Sequence, residues 1–130
     1  MITFNIRVGN VTAPVIDGDQ TVCSGGDPAA FSVTTPATGT NTLMYQWQSS
    51  TTSTTDGFGD IGSANMATYD VPAGITQTTY YRVIASAEAG TTGCLGGNCA
   101  DTSNVLTITV APPSATLITT QGTCTGATPN

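Results

Sequence analysis

Short runs in which apolar and polar residues alternate, separated by turn-forming residues, most constrain the fold of this chain. In residues 43–49 (LMYQWQS) the alternation is centred on Trp47, the only tryptophan. A period of two places successive side chains on opposite faces of a β-strand. No segment shows the 3.6-residue period of an amphipathic helix. The pattern therefore predicts an all-β protein.

Gly- and Pro-containing turns divide the chain into short segments of this kind. About seven short strands in about 100 residues are typical of an Ig-like sandwich of two antiparallel sheets. Residues 51–60 are expected to form a polar loop and residues 90–102 a long turn. Strands are predicted at residues 29–35, 42–50, 67–71, 78–87 and 103–110.

Three aromatic residues are the candidate core. A tryptophan on the third strand of an Ig-like sandwich fills the space between the sheets, which is the position expected for Trp47. Tyr80 or Tyr81 follows a Pro-containing corner, where a tyrosine corner would lie. Antibody-type domains carry a bridging cysteine two residues beyond that tyrosine, but Arg82 and Val83 stand there, so that bridge is missing.

The charge balance excludes several classes of partner. The net charge is −6, only 8% of residues are charged, and the two cations are Arg7 and Arg82. Nucleic acids and anionic membranes are both bound by clusters of Lys and Arg, which this chain lacks. No apolar run approaches the roughly 20 residues of a membrane span. A Thr-rich, charge-poor surface favours a secreted protein, and we expect the chain to be a piece of a longer one.

Two segments resemble each other at a spacing of about 100 residues, the size of one sandwich domain. They are residues 2–23 and 105–124, each a strand, a Pro-containing link, a second short segment and a cysteine. The alternative is that the similarity is a coincidence between two Thr-rich stretches. The repeat interpretation assigns residues 1–11 to the last strand of a preceding unit plus a linker, 12–111 to a complete unit, and 112–130 to a linker and the start of the next unit. Pro14 and Pro112-Pro113 would then limit bending between units.

The chain offers no catalytic constellation and is not expected to be an enzyme. Histidine and lysine are absent, Ser24 has no base partner, and Glu88 is the only glutamate. Four cysteines, Cys23, Cys94, Cys99 and Cys124, would form disulfides in an oxidising compartment. Zinc is disfavoured because no CxxC spacing and no histidine occur.

Calcium is the best small-ligand hypothesis, and no other cofactor is expected. Asp17 and Asp19 flank a glycine at one junction, and Asp56 and Asp60 lie in a Gly-containing loop. Hard cations prefer carboxylate and carbonyl oxygens on a bendable turn. The alternative is that these residues serve the backbone of solvated turns.

The loop around Phe58 is a candidate recognition tip, because loops carry function more often than strands and this one sets an apolar ring among polar residues. The alternative is that Phe58 packs against the sheet edge. Arg82, alone in a strand, is expected to face outward and to pair with an acid such as Asp70.

Several separate motifs resemble the Ig/PKD-like repeats of giant cell-surface adhesins of Bacteroidetes, of which the gliding-motility adhesin of the SprB type is one. The motifs are QTVCSGGDPAAF (20–31), LMYQWQSS (43–50), MATYDVPAGITQTTYYRV (66–83) and CADTSNVLTITV (99–110). The resemblance implies a non-enzymatic module on the outside of a bacterial cell, acting as a rigid spacer or adhesive stalk. Its partners would be neighbouring repeats of the same chain and surface glycans.

The resemblance also implies a disulfide pairing. In the similar repeats a cysteine precedes a Ser-Asn pair before the closing strand, and Cys99 with Ser103-Asn104 matches that placement. Cys23–Cys99 is therefore the expected bridge. Cys94 would join Cys124, or would compete for Cys99, and Cys124 would otherwise pair within the next unit.

Two other functions fit the same residues. One is a carbohydrate-binding or spacer module of a secreted hydrolase, with Phe58 and the nearby aspartates as the contact residues. The other is the subunit of an extracellular filament, in which the strand at residues 1–8 is donated to a neighbouring copy.

Overall fold

A computed structural model describes residues 9–39, 43–87, 97–111, 117–119 and 122–124 of the chain. All regular secondary structure within these ranges is β-strand, and no helix occurs there. The strands, in chain order, are β1 (Gly9–Asn10), β2 (Val15–Asp17), β3 (Gln20–Cys23), β4 (Phe31–Thr35), β5 (Leu43–Ser50), β6 (Gly59–Asp60), β7 (Thr68–Tyr69), β8 (Thr79–Ala87), β9 (Gly97–Asn98), β10 (Ala100–Thr102), β11 (Leu106–Ala111), β12 (Leu117–Thr119) and β13 (Gly122–Cys124).

Two sheets form the sandwich. The larger has the strand order β3-β11-β8-β5-β6, with β10 also paired to β8, and the smaller has the order β2-β4-β7. All pairs in both sheets are antiparallel except β3–β11, which is parallel. Two further pairs, β1–β9 (parallel) and β12–β13 (antiparallel), are two-stranded. The predicted all-β sandwich is confirmed.

Aromatic rings fill the space between the sheets. Trp47 and Phe31 are both fully buried and stack with their ring centroids 6.0 Å apart. Tyr69 lies 5.8 Å from Trp47, and Tyr81 lies 5.1 Å from Phe31, so the four rings form one cluster. The indole Nε1 of Trp47 donates a hydrogen bond of 2.8 Å to the carbonyl oxygen of Met66, which satisfies the one polar atom of the ring.

Strand alternation separates the two tyrosines of β8. Tyr81 is 5% exposed and faces the core, whereas Tyr80 lies on the opposite face and is only partly buried. Adjacent residues of a strand cannot share a face, so only one of this pair could be a core residue. The assignment of both to the core is corrected accordingly.

A second, smaller core cluster involves residue 11. Val11 is 1% exposed and packs with Ala37, Ala85 and Ala87. Pro14 is fully buried as well. Residues that the sequence analysis placed in or beside a linker are therefore part of the packed sandwich, while Pro112 and Pro113 lie outside the described residues.

Two segments expected to lack strands contain short ones. β6 ends the loop at 51–60 and pairs with β5, and β10 lies within the expected turn at 90–102 and pairs with β8. Both are two or three residues long and contain Asp and Gly or Ala. Their alternation is too short to detect in the sequence, so pairing with a long neighbouring strand defines them.

Candidate functional site

β3, near the start of the sandwich, and β11, its last strand, run side by side in the same direction. Residues 20–23 of β3 pair in parallel with residues 108–111 of β11, at a constant spacing of 88 positions along the sequence. The same spacing continues towards the N-terminus through side-chain hydrogen bonds. We call residues 16–23 and 104–111 together the parallel seam.

An asparagine side chain closes one end of the parallel seam. The Oδ1 of Asn104 accepts a hydrogen bond of 2.9 Å from the backbone N–H of Ile16, and its Nδ2 donates one of 2.9 Å to the carbonyl oxygen of the same residue. A primary amide presents a donor and an acceptor side by side, as a peptide group does. Asn104 thus makes the two hydrogen bonds to Ile16 of β2 that the backbone of a neighbouring strand would make, and it connects the seam to the smaller sheet.

Ser103, which precedes this asparagine, is buried and ties the seam to β8. Its backbone N–H donates to the carbonyl oxygen of Val83, and its Oγ accepts from the backbone N–H of Val83 at 2.9 Å. The hydroxyl donates in turn to the carbonyl oxygen of Asn104 at 2.7 Å. The Ser-Asn pair therefore fixes where β10 ends and β11 begins.

The first pair of calcium candidates lies within the parallel seam. Oδ1 of Asp19 accepts a hydrogen bond of 2.7 Å from the backbone N–H of Thr107, and Oδ1 of Asp17 accepts one of 2.8 Å from the N–H of Gly18. Each of these carboxylates therefore satisfies a backbone donor. The chain changes sheets between them at Gly18, whose φ is +139°.

The second pair of candidates belongs to the loop between β5 and β6. The hydroxyl of Ser50 donates to the carbonyl oxygen of Asp56 and accepts from the N–H of Thr52, while Ser53 Oγ accepts from the N–H of Asp56 at 2.9 Å. Asp60 lies beyond the loop, in β6, and its carboxylate accepts from Gln48 Nε2 at 2.7 Å. Short side chains bonded to nearby backbone groups give the loop a defined shape.

Neither pair is joined by further metal ligands. Among the residues that the structure describes, no three His, Cys, Asp or Glu side chains are grouped so as to hold a metal ion. Calcium takes six to eight oxygen ligands. The carboxylates of all four aspartates instead accept hydrogen bonds from donors of the protein, which favours the interpretation of these residues as structural residues of the turns and strands.

Phe58 and Arg82 contact each other on the outer face of the larger sheet. The guanidinium carbon of Arg82 lies 4.0 Å from the centroid of the Phe58 ring, and its Nε donates a hydrogen bond of 2.8 Å to Gln48 Oε1. Gln48 in turn contacts Asp60, so a chain of contacts crosses β8, β5 and β6. The expected partner of Arg82, Asp70, is thus replaced by an amide and an aromatic ring.

The Phe58 ring has one face covered by a cation, and its side chain is half-buried. Sugars bind aromatic residues by lying flat on a ring, so the covered face of Phe58 is not accessible to a glycan. The contact matches the alternative interpretation of Phe58 as a residue packed on the sheet, and a cation–π contact at such a site contributes about 0.5–1 kcal/mol.

Both cysteines of the expected bridge are within the described residues. Cys23 ends β3 and Cys99 lies between β9 and β10, where its carbonyl oxygen accepts a hydrogen bond from the N–H of Ala87. Each of the two is disulfide-bonded. Cys94 and the side chain of Cys124 lie outside the described residues. The pairing of Cys23 with Cys99, like the alternatives that involve Cys94 and Cys124, stays a prediction.

A shallow groove lies along β3 and β11. It has a volume of about 250 Å³, is open to solvent, and is lined by Asp19, Gln20, Thr21, Thr107 and Thr109. Ligand pockets usually enclose about 300–1,000 Å³. The lining brings together three threonine hydroxyls, the amide of Gln20 and the carboxylate of Asp19, which accepts the hydrogen bond from the N–H of Thr107.

Sequence reasoning missed the role of three polar side chains in connecting the strands. Gln20 is 7% exposed, and its amide bonds both the N–H and the carbonyl oxygen of Ala29 at 2.8 Å. The side-chain amide of Asn104 likewise bonds to both the N–H and the carbonyl oxygen of Ile16, and the carboxylate of Asp19 accepts a hydrogen bond from the N–H of Thr107. Their position in the sequence is the one signal that could have identified them. Each is a polar residue next to a run of strong β-formers, where such residues are uncommon.

No helix in the described ranges is long and apolar enough to cross a membrane. No curated protein and no solved structure matches the chain. A family model described as a domain of unknown function, DUF8696, matches residues 12–112, which contain β2 to β11 and the whole parallel seam. Because this match covers most of the sequence, the chain belongs to the DUF8696 family of domains of unknown function.

Proposed function

We propose that this protein is a non-enzymatic repeat module of a large bacterial cell-surface adhesin, in which it acts as a rigid spacer or adhesive stalk. The observation that carries the proposal is the parallel seam. Since residues 16–23 and 104–111 run in the same direction, the chain begins the seam at one pole of the sandwich and leaves it at the other. The seam is eight residues long on each side, and at about 3.3 Å per residue its two ends lie about 25 Å apart.

Opposite poles are what a chain of end-to-end modules requires. A sandwich whose ends emerged together would fold each successive unit back on the last, whereas this one lets the next unit continue in line. The internal similarity between residues 2–23 and 105–124 supports such an array. The family match to 12–112 gives a unit of nearly the same bounds.

An extracellular location is part of the proposal. The chain has only 8% charged residues and no lysine, and Cys23 and Cys99 are disulfide-bonded, a state that persists in oxidising compartments. Neighbouring repeats of the same chain would be its constant partners. Surface glycans remain candidate ligands for the array, and a part in gliding motility is the most specific role that the sequence resemblance implies.

The two runner-up functions have less support. Glycan binding through Phe58 requires an accessible ring, and one face of that ring lies against Arg82. A filament subunit would depend on strand donation by residues 1–8, which are outside the described residues.

Small-angle X-ray scattering tests the proposed spacer. Proteins that carry one, two and three copies of residues 9–112 in tandem, so that each copy keeps β1 and the buried Val11, would be compared at several concentrations. We expect the maximum dimension to grow by a constant increment for each added unit. A maximum dimension that levels off from two units to three would show that the units fold back on one another and would contradict a stalk.

A further inference from the structure

We propose that the parallel seam is a mechanical clamp, that is, the set of contacts that sets the force at which the module unfolds when it is pulled from its two ends. The inference deepens the proposed function, since only a module under load would use such a clamp. Its physical basis is the direction of the two segments relative to each other, together with the side chains that close the end of the seam.

The direction of the strands decides how a load reaches the hydrogen bonds. Force applied to the chain before Ile16 and after Ala111 pulls the two segments of the seam past each other along their length. All cross-links of the seam then bear the load together and must fail together. An antiparallel hairpin pulled from adjacent ends, by contrast, opens one bond at a time, because each bond carries the load alone.

Side chains lengthen the seam beyond its four-residue ladder. The two hydrogen bonds between Asn104 and Ile16 and the bond from Thr107 to Asp19 add three cross-links towards the N-terminal end. Without them, only the pairs from Gln20 to Cys23 would join the first segment to the last. The clamp therefore spans both sheets, since Ile16 belongs to the smaller sheet and Thr107 to the larger.

Burial protects the same contacts from water. Val22 and Ile108 are 0% exposed, and Ile16 is 2% exposed. Water that enters a strand pair competes for its hydrogen bonds, so an interior-facing row of apolar side chains raises the barrier to separation. The last segment is also held from its other side, because the N–H of Val110 donates to Thr78 Oγ1 at 3.1 Å. The first segment should therefore slide away from a fixed partner.

Single-molecule force spectroscopy on the full 130-residue chain tests the clamp in two pulling directions. In the first, handles at the two ends of the chain load the seam lengthwise. In the second, the N-terminal handle is moved to a non-natural amino acid at Thr54, in the exposed loop after β5, and the C-terminal handle is kept. Because Ser50 of β5 and Thr107 of β11 both lie level with Tyr80 of β8, β5 and β11 end at the same pole, and the two segments of the seam are no longer pulled lengthwise past each other. At equal loading rate the unfolding force should be about twofold higher in the first direction, because forced unfolding is set by the barrier along the pulled path. Equal forces would overturn the proposal.

A pair of variants separates the clamp from general stability. Asn104→Ala removes two cross-links of the seam, and Asn65→Ala removes an exposed amide outside it. We expect Asn104→Ala to lower the force in the end-to-end direction by a larger fraction than in the Thr54 direction, and Asn65→Ala to change neither. An equal fractional loss in both directions would mean that Asn104 contributes only to overall stability, which would contradict its role in the clamp.

The disulfides are reduced for this experiment wherever the reduced chain stays folded, so that they carry no load. The chain is pulled after reduction, once far-UV circular dichroism has shown that the reduced chain keeps its β spectrum; if it does not, the oxidised chain is pulled in the same two directions, and the directional comparison still decides. The scattering experiment on joined units is independent of this one. A higher unfolding force in the end-to-end direction, found together with joined units that fold back on one another, would reject the stalk alone. Equal forces in the two directions, found together with joined units whose maximum dimension grows steadily, would reject the clamp alone.

Discussion

Trp47 lies at the centre of the core because strand alternation, ring size and one hydrogen bond all favour that position. Tyr45, two residues before it in β5, packs against the same core cluster, and the Trp47 ring stacks on Phe31 and Tyr69. Aromatic side chains bury about 150–250 Å² each and dominate the energetics of a core. This part of the core could be predicted from the sequence, since it needs only the period of two and the presence of a single tryptophan.

Gly18 is the residue at which the smallest change should have a large effect. Its φ of +139° disfavours any side chain, and a Cβ there would lie 2.6 Å from Phe31 Cδ1. We expect Gly18→Ala to lower the free energy of unfolding by about 2–4 kcal/mol, as backbone strain and overpacking add together. Urea denaturation followed by tryptophan fluorescence measures this change.

Gly25 supplies the matched control for that variant. It also has a positive φ, of +81°, but nothing lies within 4 Å of the position of an added Cβ. Gly25→Ala should therefore cost only the backbone term, about 1 kcal/mol. Equal losses in the two alanine variants would mean that the Phe31 ring moves aside without cost at Gly18.

Tyr81 makes the stability of the sandwich sensitive to alkaline pH. Burial, and to a lesser extent the neighbouring Tyr69, raises the pKa of Tyr81 to about 12, although a hydrogen bond with Thr79 opposes the shift. Burial and the Asp70 carboxylate raise the pKa of Tyr69 as well. In the unfolded chain a tyrosine ionises near pH 10, so the unfolded state loses its protons first. The contribution of these two tyrosines to the free energy of unfolding is therefore expected to be constant below about pH 10 and to fall as the pH rises to about 12.

A phenylalanine at position 81 tests this assignment. Tyr81→Phe keeps the ring contacts with Phe31 and removes the titrating group. The fall in the free energy of unfolding between about pH 10 and 12 should become shallower, with the remaining slope due to Tyr69. Urea titrations at a series of pH values measure it, and an unchanged slope in the variant would assign the alkaline instability to other groups.

The polar residues of the parallel seam show where prediction from sequence ends. Asn104, Asp19 and Gln20 each bond to backbone groups of a residue that is distant along the chain or across a turn. Local pattern rules describe neighbours in sequence, and they gave Asp19 as a turn residue or calcium ligand. Only the register of β3 against β11 reveals that its carboxylate faces the N–H of Thr107.

At the scale of elements, long strands were predictable and short ones were not. β5 and β8 have eight and nine residues, β8 alternates regularly between buried and partly buried positions, and the two strands pair over the whole of β5. β6 and β10 exist because these long strands offer them hydrogen-bonding edges, and their own sequences carry little β preference. The loop between β5 and β6 was correctly expected to be polar, but the hydrogen bonds that shape it depend on which hydroxyls point inward.

Ser50 is the residue that shapes this loop. It is 3% exposed, and its hydroxyl bonds to the carbonyl oxygen of Asp56 and to the N–H of Thr52. We expect Ser50→Ala to lower the free energy of unfolding by about 1 kcal/mol, because the part-buried hydrogen bonds to the carbonyl oxygen of Asp56 and from the N–H of Thr52 are both lost. Amide hydrogen exchange within 52–57 should accelerate at the same time. Ser49→Ala, at the adjacent partly buried position, is the control and should leave exchange in the loop unchanged.

At the scale of the whole molecule, the position of its cations makes trypsin a probe of global unfolding. Arg82 lies in the middle of β8, between β5 on one side and β10 and β11 on the other. A protease needs an extended, unpaired segment, so cleavage after Arg82 requires the larger sheet to open. The rate of that cleavage should therefore rise with urea at the same slope as equilibrium unfolding, since proteolysis of a transiently opened state follows its population. Reducing gels would follow the fragment that begins at Val83.

As a control, Thr54→Lys adds a site in the exposed loop after β5, and cleavage there should be fast without urea and nearly independent of it. A shallow urea dependence at Arg82 would mean that β8 opens locally, and the sandwich would then not unfold as one cooperative unit.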